Sequence, residues 1–287
     1  MGAVTMPTFD TPNPITATVT VVAGDVRISA GDAGSTTVTV EPTDGANAED
    51  RKAAEQTRVE YTNGHLLVRA PKLRSWLPGS RGGSVDVRIE LPAASQAHGG
   101  GALADFVLDG PLGDVRLKTG LGHIQVEHAA SLTVKSGLGD ISVDRVTGHA
   151  DISSGSGEIR VSELDAGAVV KNSNGDTWVG QAGGDLRVSA ANGSIAIDAA
   201  QASVVAKSSN GDVRLGAAVR DSVVLETSLG DLEVGIPEGT AAWLDVRAAA
   251  GKVRNGLEAA ATPPDTAAEK VEVRARTSAG DVVIRRA

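Results

Sequence analysis

Eight side chains directly follow a corner glycine in this 287-residue chain: Asp114, His123, Asp140, Glu158, Asp176, Ser194, Asp212 and Asp231. If the chain coils, they stack into a file. Carboxylates stacked one strand apart repel unless they are solvated, hydrogen-bonded or bridged by a cation. The chemistry open to such a file is calcium binding, because hard cations take oxygen ligands and some β-rolls hold calcium at repeated glycine–aspartate corners. Asp140, Glu158, Asp176, Asp212 and Asp231 would then be the ligands. Those rolls use GGxGxDxUx, with the acid two places after a glycine. Here it follows at once, and Ser194 and His123 interrupt the file. That mismatch favours a local role, with glycine at positive φ and the acid or a neighbouring Asn bonding the turn backbone.

A second file, Ser136, Ser154, Asn172, Ala190, Ser208 and Thr227, is small and mostly polar. Its hydroxyls and amides are expected to bond the bending backbone, since buried polar groups need partners. A serine becomes a nucleophile only beside a positioned base, which the file does not supply. GxG recurs at Gly120/Gly122, Gly137/Gly139 and Gly155/Gly157 with no third glycine, and Gly251-Lys252 runs into Val253, so neither nucleotide fingerprint is met. GxSxG and HExxH are absent. His65, His98, His123, His128 and His149 have no zinc-site spacing. The expectation is no catalytic residue, no cofactor and no metal.

The six aromatics include three tryptophans. Trp178 lies between inward Thr177 and Val179, so strand alternation turns it outward as a contact residue. Trp76 lies in a projecting loop and is the second candidate contact. Trp243 is expected to pack within the C-terminal rungs.

These residues are positioned by a repeat. The corner glycines Gly139, Gly157, Gly175, Gly193 and Gly211 recur every 18 residues. Before each lies an inward pair such as Ala150/Ile152, Leu186/Val188 or Val204/Ala206, and after each another, such as Ile159/Val161 or Ile195/Ile197. Both members of a pair stand two apart, as one strand face requires. The reading is an all-β single elongated β-solenoid: a flattened two-sheet parallel coil of about 18 residues per rung, right-handed by the crossover preference. Residues 1–14 form a tail, 15–109 irregular rungs with a surface or capping helix over 47–57, 110–235 the regular solenoid, and 236–287 C-terminal rungs that close the coil with its own repeat. Loops over 72–83 and 258–270 project.

Composition narrows the function. A formal charge of −9 offers no basic face for nucleic acid, and no apolar run is long enough for membrane insertion. With no cysteine, disulfide and thiolate chemistry are excluded. The N-terminus has neither basic head nor apolar core of a signal peptide, which reads as cytoplasmic; the alternative is the cell surface or secretion, should a signal segment be missing.

The phrases SGLGDISVD, SGSGEIRVS, NSNGDTWVG and SSNGDVRLG, with IPEGTAAWLDVRAAAG, resemble the bacterial putative-adhesin β-strand-repeat family, domain of unknown function 4097. The resemblance spans roughly residues 15–287 and implies a β-solenoid with no catalytic residues to carry over. The functional expectation is a noncatalytic scaffold or adhesin-like module that presents a repetitive face to a protein partner, or associates with itself through solenoid faces or ends. Alternatives are a carbohydrate-binding or carbohydrate-active β-helix and a calcium-stabilised repeat.

Overall fold

Val, Ile and Ala at alternate positions, bounded by glycine corners, give strands of five to seven residues that each bury one face. The computed structural model describes residues 6–32, 34–71, 83–257 and 269–287. They fall into two compact units, Met1–Asp144 and Arg145–Ala287. Apart from the helix Ala48–Gln56, the described elements are strands.

In the second unit each lap of chain contributes a strand before the corner and one after it. Ala150–Ser156, Ala168–Asn174, Leu186–Asn192, Val204–Asn210 and Asp221–Leu229 pair in parallel, so that Ile152, Val170, Val188, Ala206 and Leu225 form one file. Ile159–Leu164, Thr177–Ala182, Ile195–Ala200, Val213–Ala218 and Leu232–Ile236 form the second parallel ladder, in which Ile159, Thr177, Ile195 and Val213 are successive partners. Every member of both files is buried. Since strands pair only within their own ladder, the coil has two opposed sheets around one thin apolar core. The expected 18-residue lap holds, lengthening to 19 where Val204 meets Val223.

At the end of this unit the spatial order departs from the chain order. Glu269–Ala279 pairs with Asp221–Leu229 on one side and Thr240–Ala250 on the other, so Val273 lies between Val223 and Leu244. Val282–Arg286 is likewise held between Leu232–Ile236 and Val253–Asn255. The C-terminal segment is therefore the last rung but one, and the expectation that it closes the coil is corrected. Outermost is Thr240–Asn255.

The first unit shows the same threading. Thr16–Thr20 pairs in parallel with both His65–Arg69 and the start of the long bent strand Gln96–Leu121. Ala23–Gly31 lies between Val85–Pro92 and Leu103–Asp109. The 65–92 rung is thus outside the 16–31 rung. Its edges are covered by antiparallel strands: Arg58–Thr62 on His65–Arg69, and Ser35–Pro42 on Val85–Pro92, with Thr8–Asp10 beyond. Asn63-Gly64, both at positive φ, makes the two-residue turn that a tight hairpin demands.

The helix expected over 47–57 is present at Ala48–Gln56, with Asn47 as N-cap accepting from the Glu49 amide. Its buried Asp50 accepts from the backbone amides of Asp44 and Ser84, tying the helix to the entry of Val85–Pro92. Most of the loops expected over 72–83 and 258–270, Trp76 included, lies outside the described residues.

Candidate interaction surfaces and the corner ladder

At each regular corner the marker glycine adopts a φ near +140°, and a Cβ on Gly193 would lie 2.1 Å from the Gly175 carbonyl oxygen. Both backbone conformation and inter-rung contact demand glycine there. The following side chain then reaches one rung along and accepts from a main-chain amide. Asp176 Oδ1 accepts from Ser194 N (2.8 Å), Asp212 from Asp231 (2.8 Å), Asp231 from Asp281 (2.7 Å) and Asp281 from Lys252 (2.9 Å). His123 and Ser194 serve the same purpose, accepting from Asp140 N (3.2 Å) and Asp212 N (3.4 Å). What the position selects is a short acceptor, so a neutral side chain does not break the file.

Membership of the file differs from the sequence reading at one end. Asp114 pairs in register with Ser131 and stands at the opposite corner, because Gly113 and Gly122 are only nine residues apart, half a lap. Its place is taken by Asp105, which accepts from His123 N (2.7 Å), and the file continues through Asp25 and Asp86. Irregular connections hid these three from a search for constant spacing. Burial, followed by the charges of Asp86 and Asp105, pushes the Asp25 carboxyl above the usual range. Asp140 faces His123 at 3.6 Å and Glu158 is paired with Arg160. Among the described residues, no group of three or more His, Cys, Asp or Glu side chains is arranged to hold a metal ion.

The second file is buried, but only part of it bonds the bend from within: among the described residues the hydroxyls of Ser136 and Ser154 have no hydrogen-bond partner, against expectation. Ser208, Thr227 and Thr277 donate to the carbonyls of Gly193, Gly211 and Gly230 at 2.9–3.0 Å, and Asn172 donates to those of Gly157 and Gly175. These hydroxyls anchor the corner rather than point to solvent.

Asp114 instead belongs to a cluster that topology assembles. Ser131 Oγ donates to its Oδ1 (2.7 Å), while His98 Nε2 lies 3.3 Å and Arg116 Nε 2.8 Å from Oδ2. Burial raises the Asp114 carboxyl, but the bonds from Ser131 and His98, with the Arg116 charge, outweigh it and hold the group below its ordinary range. Ser, Asp and His meet here in the wrong order for acyl transfer: the serine bonds the acid, which a nucleophile relay would place behind the histidine.

Immediately before the marker glycines runs a third file, invisible to motif reading. In the second unit it begins as an amide ladder, in which Asn210 Nδ2 donates to Asn192 Oδ1 (2.8 Å) and Asn192 Nδ2 to Asn174 Oδ1 (2.9 Å), and continues from Asn210 to the exposed Leu229. In the first unit the equivalent positions are exposed leucines. Leu121 and Leu138 are register partners, and the offset that pairs Phe106 with Ile124 places Leu103 next. Their exposures are 54%, 49% and 54% for Leu103, Leu121 and Leu138. The repeated Leu-Gly phrase was the available signal.

Trp178 is on the outer face as expected, half-buried, in register between Arg160 and Ala196. Arg160 sits 5.7 Å from the indole centroid, and Nε1 lies 3.2 Å from Asp198 Oδ1. The ring is held in place by charges on the rungs either side of its own. Trp243, expected in the core, is 58% exposed on the outermost rung. It falls one position before Leu244, which holds the inward place, so alternation turns it out.

No curated protein matches this chain. Among solved structures it is similar to a putative adhesin from Bacteroides fragilis, at 10% identity over 100% of this chain and 98% of that one, with a TM-score of 0.36. It is also similar to two proteins from Parabacteroides distasonis, each at 12% identity over 98% of this chain and 97% of the other. One is a putative adhesin, TM-score 0.38, and the other a putative lipid binding protein, TM-score 0.46. The family model described as Toastrack DUF4097 matches residues 18–285. With that match over nearly the whole sequence and a β-solenoid in each unit, the chain belongs to the Toastrack DUF4097 family.

Proposed function

We propose that this protein is a noncatalytic interaction module that presents side-chain files at fixed strand spacing to a protein partner. The observation that carries this reading is the leucine file of Leu103, Leu121 and Leu138, three large apolar side chains about half exposed on successive rungs. Contiguous exposed apolar surface of this kind marks contact sites, whereas isolated apolar residues do not. Lys118 and Lys135, also register partners, stand three residues before Leu121 and Leu138 and supply a polar border. Trp178 with Arg160 is the candidate contact of the second unit, a rigid aromatic carrying a cation on its face. Asp176, Asp212 and Asp231 each have one carboxylate oxygen engaged by the backbone of the next rung, which assigns them to joining rungs in this reading.

The test is a capture experiment with purified wild type, Leu121→Asp and Trp178→Ala chains, each checked for an unchanged melting profile. A specific partner should be retained by wild type and lost with Leu121→Asp. A partner bound equally by all three chains, or none at all, would remove this reading.

Carbohydrate binding is a second reading. An open groove of about 410 Å³ in the second unit is lined by Ser189, Ser209 and Ser228 and by Lys207, Glu226 and Arg276. Lys207 is paired with Glu226 and Arg276 with Asp245, so the groove offers hydroxyls and neutralised charge, which suits a polyol better than an anion.

A further inference from the structure

The 65–92 rung of the first unit and the 240–255 rung of the second are finished differently. On the 65–92 rung both strands carry antiparallel neighbours. On the 240–255 rung, among the described residues, Thr240–Ala250 pairs only with Glu269–Ala279 and leaves its other edge free. That edge is 11 residues long and has neither Pro nor Lys within it; its two charged residues, Asp245 and Arg247, alternate with Leu244 and Val246 and so lie on the outer face. Ala242, Leu244 and Val246 occupy the inward places yet are only half-buried, whereas their partners Val271, Val273 and Ala275 are 0–2% exposed. Trp243, at 58%, and Val253, at 43%, add exposed apolar surface on the same rung.

The order of residues along this strand points to its occupant. About Asp245 the segment AAWLDVRAA is self-complementary in antiparallel alignment: Leu244 falls opposite Val246, Trp243 opposite Arg247, and Ala242 opposite Ala248. We infer that the Thr240–Ala250 edge pairs with the same edge of a second copy of this chain, about a two-fold axis through Asp245. Antiparallel alignment about such an axis keeps inward residues on the inward side, so Leu244 and Val246 of each copy cover the open core of the other. Trp243 of each copy meets the Arg247 guanidinium of the other on the outer face, a cation–π pairing made twice. Two Asp245 side chains face each other at the axis. Each is already neutralised, with Arg276 at 3.1 Å and Arg247 at 3.4 Å.

This interface does not rest on the lateral leucine file, and the two are tested by different residues. Sedimentation of the full chain over a wide concentration range should show a reversible monomer–dimer equilibrium. Trp243→Lys, which sets Lys against Arg247 of the other copy, should abolish the dimer and leave the melting profile of the dilute protein unchanged. The chain has no cysteine, so Asp245→Cys introduces a single one at the axis. A short bis-maleimide should convert Asp245→Cys into covalent dimer far faster than it converts Ala196→Cys, on the outer face of another rung. A wild-type chain that stays monomeric overturns the inference. So does a dimer that survives Trp243→Lys, or a cross-linking rate no greater for Asp245→Cys than for Ala196→Cys.

Discussion

Asp25 occupies the least favourable place in the corner file, where burial raises its carboxyl first and the charges of its neighbours Asp86 and Asp105 raise it further. A carboxyl whose folded pKa is raised binds more protons in the native than in the unfolded chain, so stability falls as pH rises through that interval. Asp25→Asn should therefore raise the melting temperature at neutral pH, and the advantage should shrink as the pH falls through the acid range. Thermal melts at several pH values check this; an advantage that persists at the acid end would assign it to something other than charge. Asp114 has the opposite sign, since its lowered carboxyl contributes stability above the ordinary carboxylate pKa that is lost as pH falls through the folded value. The role of the corner residue was only partly legible. Glycine followed by a short acceptor is visible in the sequence, but which amide it serves is decided by the next rung, 17 to 61 residues away in the bonds observed.

The element that matters is the lap, not the strand. Each strand finds its hydrogen-bond partners one lap away, and the strands before and after a corner belong to different sheets. Removing residues 176–193, one whole lap, leaves Gly175 followed by Ser194 and keeps every inward position inward. Removing 176–184 instead sends a strand that belongs before the corner into the position after it. The first deletion should give a shorter but cooperatively unfolding protein; the second should lose cooperativity, because it keeps Leu186 and Val188 inward but moves every later strand into the opposite ladder and every later marker glycine to the opposite corner. Chemical denaturation of both variants decides it, and equal behaviour would contradict the lap as the unit. This periodicity was readable because the lap is constant from Gly139 to Gly211. It was not readable before residue 110, where connections of unequal length separate rungs that are nonetheless in register.

For the molecule as a whole, the consequential feature is that the first and last full rungs of the chain each sit one place inside an outer rung. Neither the Thr16–Gly31 segment nor the Glu269–Arg286 segment can fray as a free edge, since each has neighbours on both sides. Truncation before Glu269 should be severe. It removes Val271, Val273, Val282 and Ile284, all 0–2% exposed, and strands the 240–255 rung. At ~1.5–3 kcal/mol per buried side chain, the loss is on the order of 6–12 kcal/mol. A denaturation midpoint for the truncated chain equal to that of the full chain would mean that the 240–255 rung moves inward to take the vacant place.

By itself the sequence determined what short-range chemistry can encode: alternate apolar positions that bury one face of each strand, glycines where φ must be positive, the presence of the one helix, and the 18-residue lap. Tertiary structure alone decided which rung neighbours which. An inward Val or Ile is equally at home beside any other inward pair, so the pattern that makes a rung does not say where in the stack it lies. Threading of the terminal rungs, the move of Asp114 to the opposite corner, and the exposure of Trp243 all follow from that one degeneracy, which only hydrogen bonding between distant segments removes.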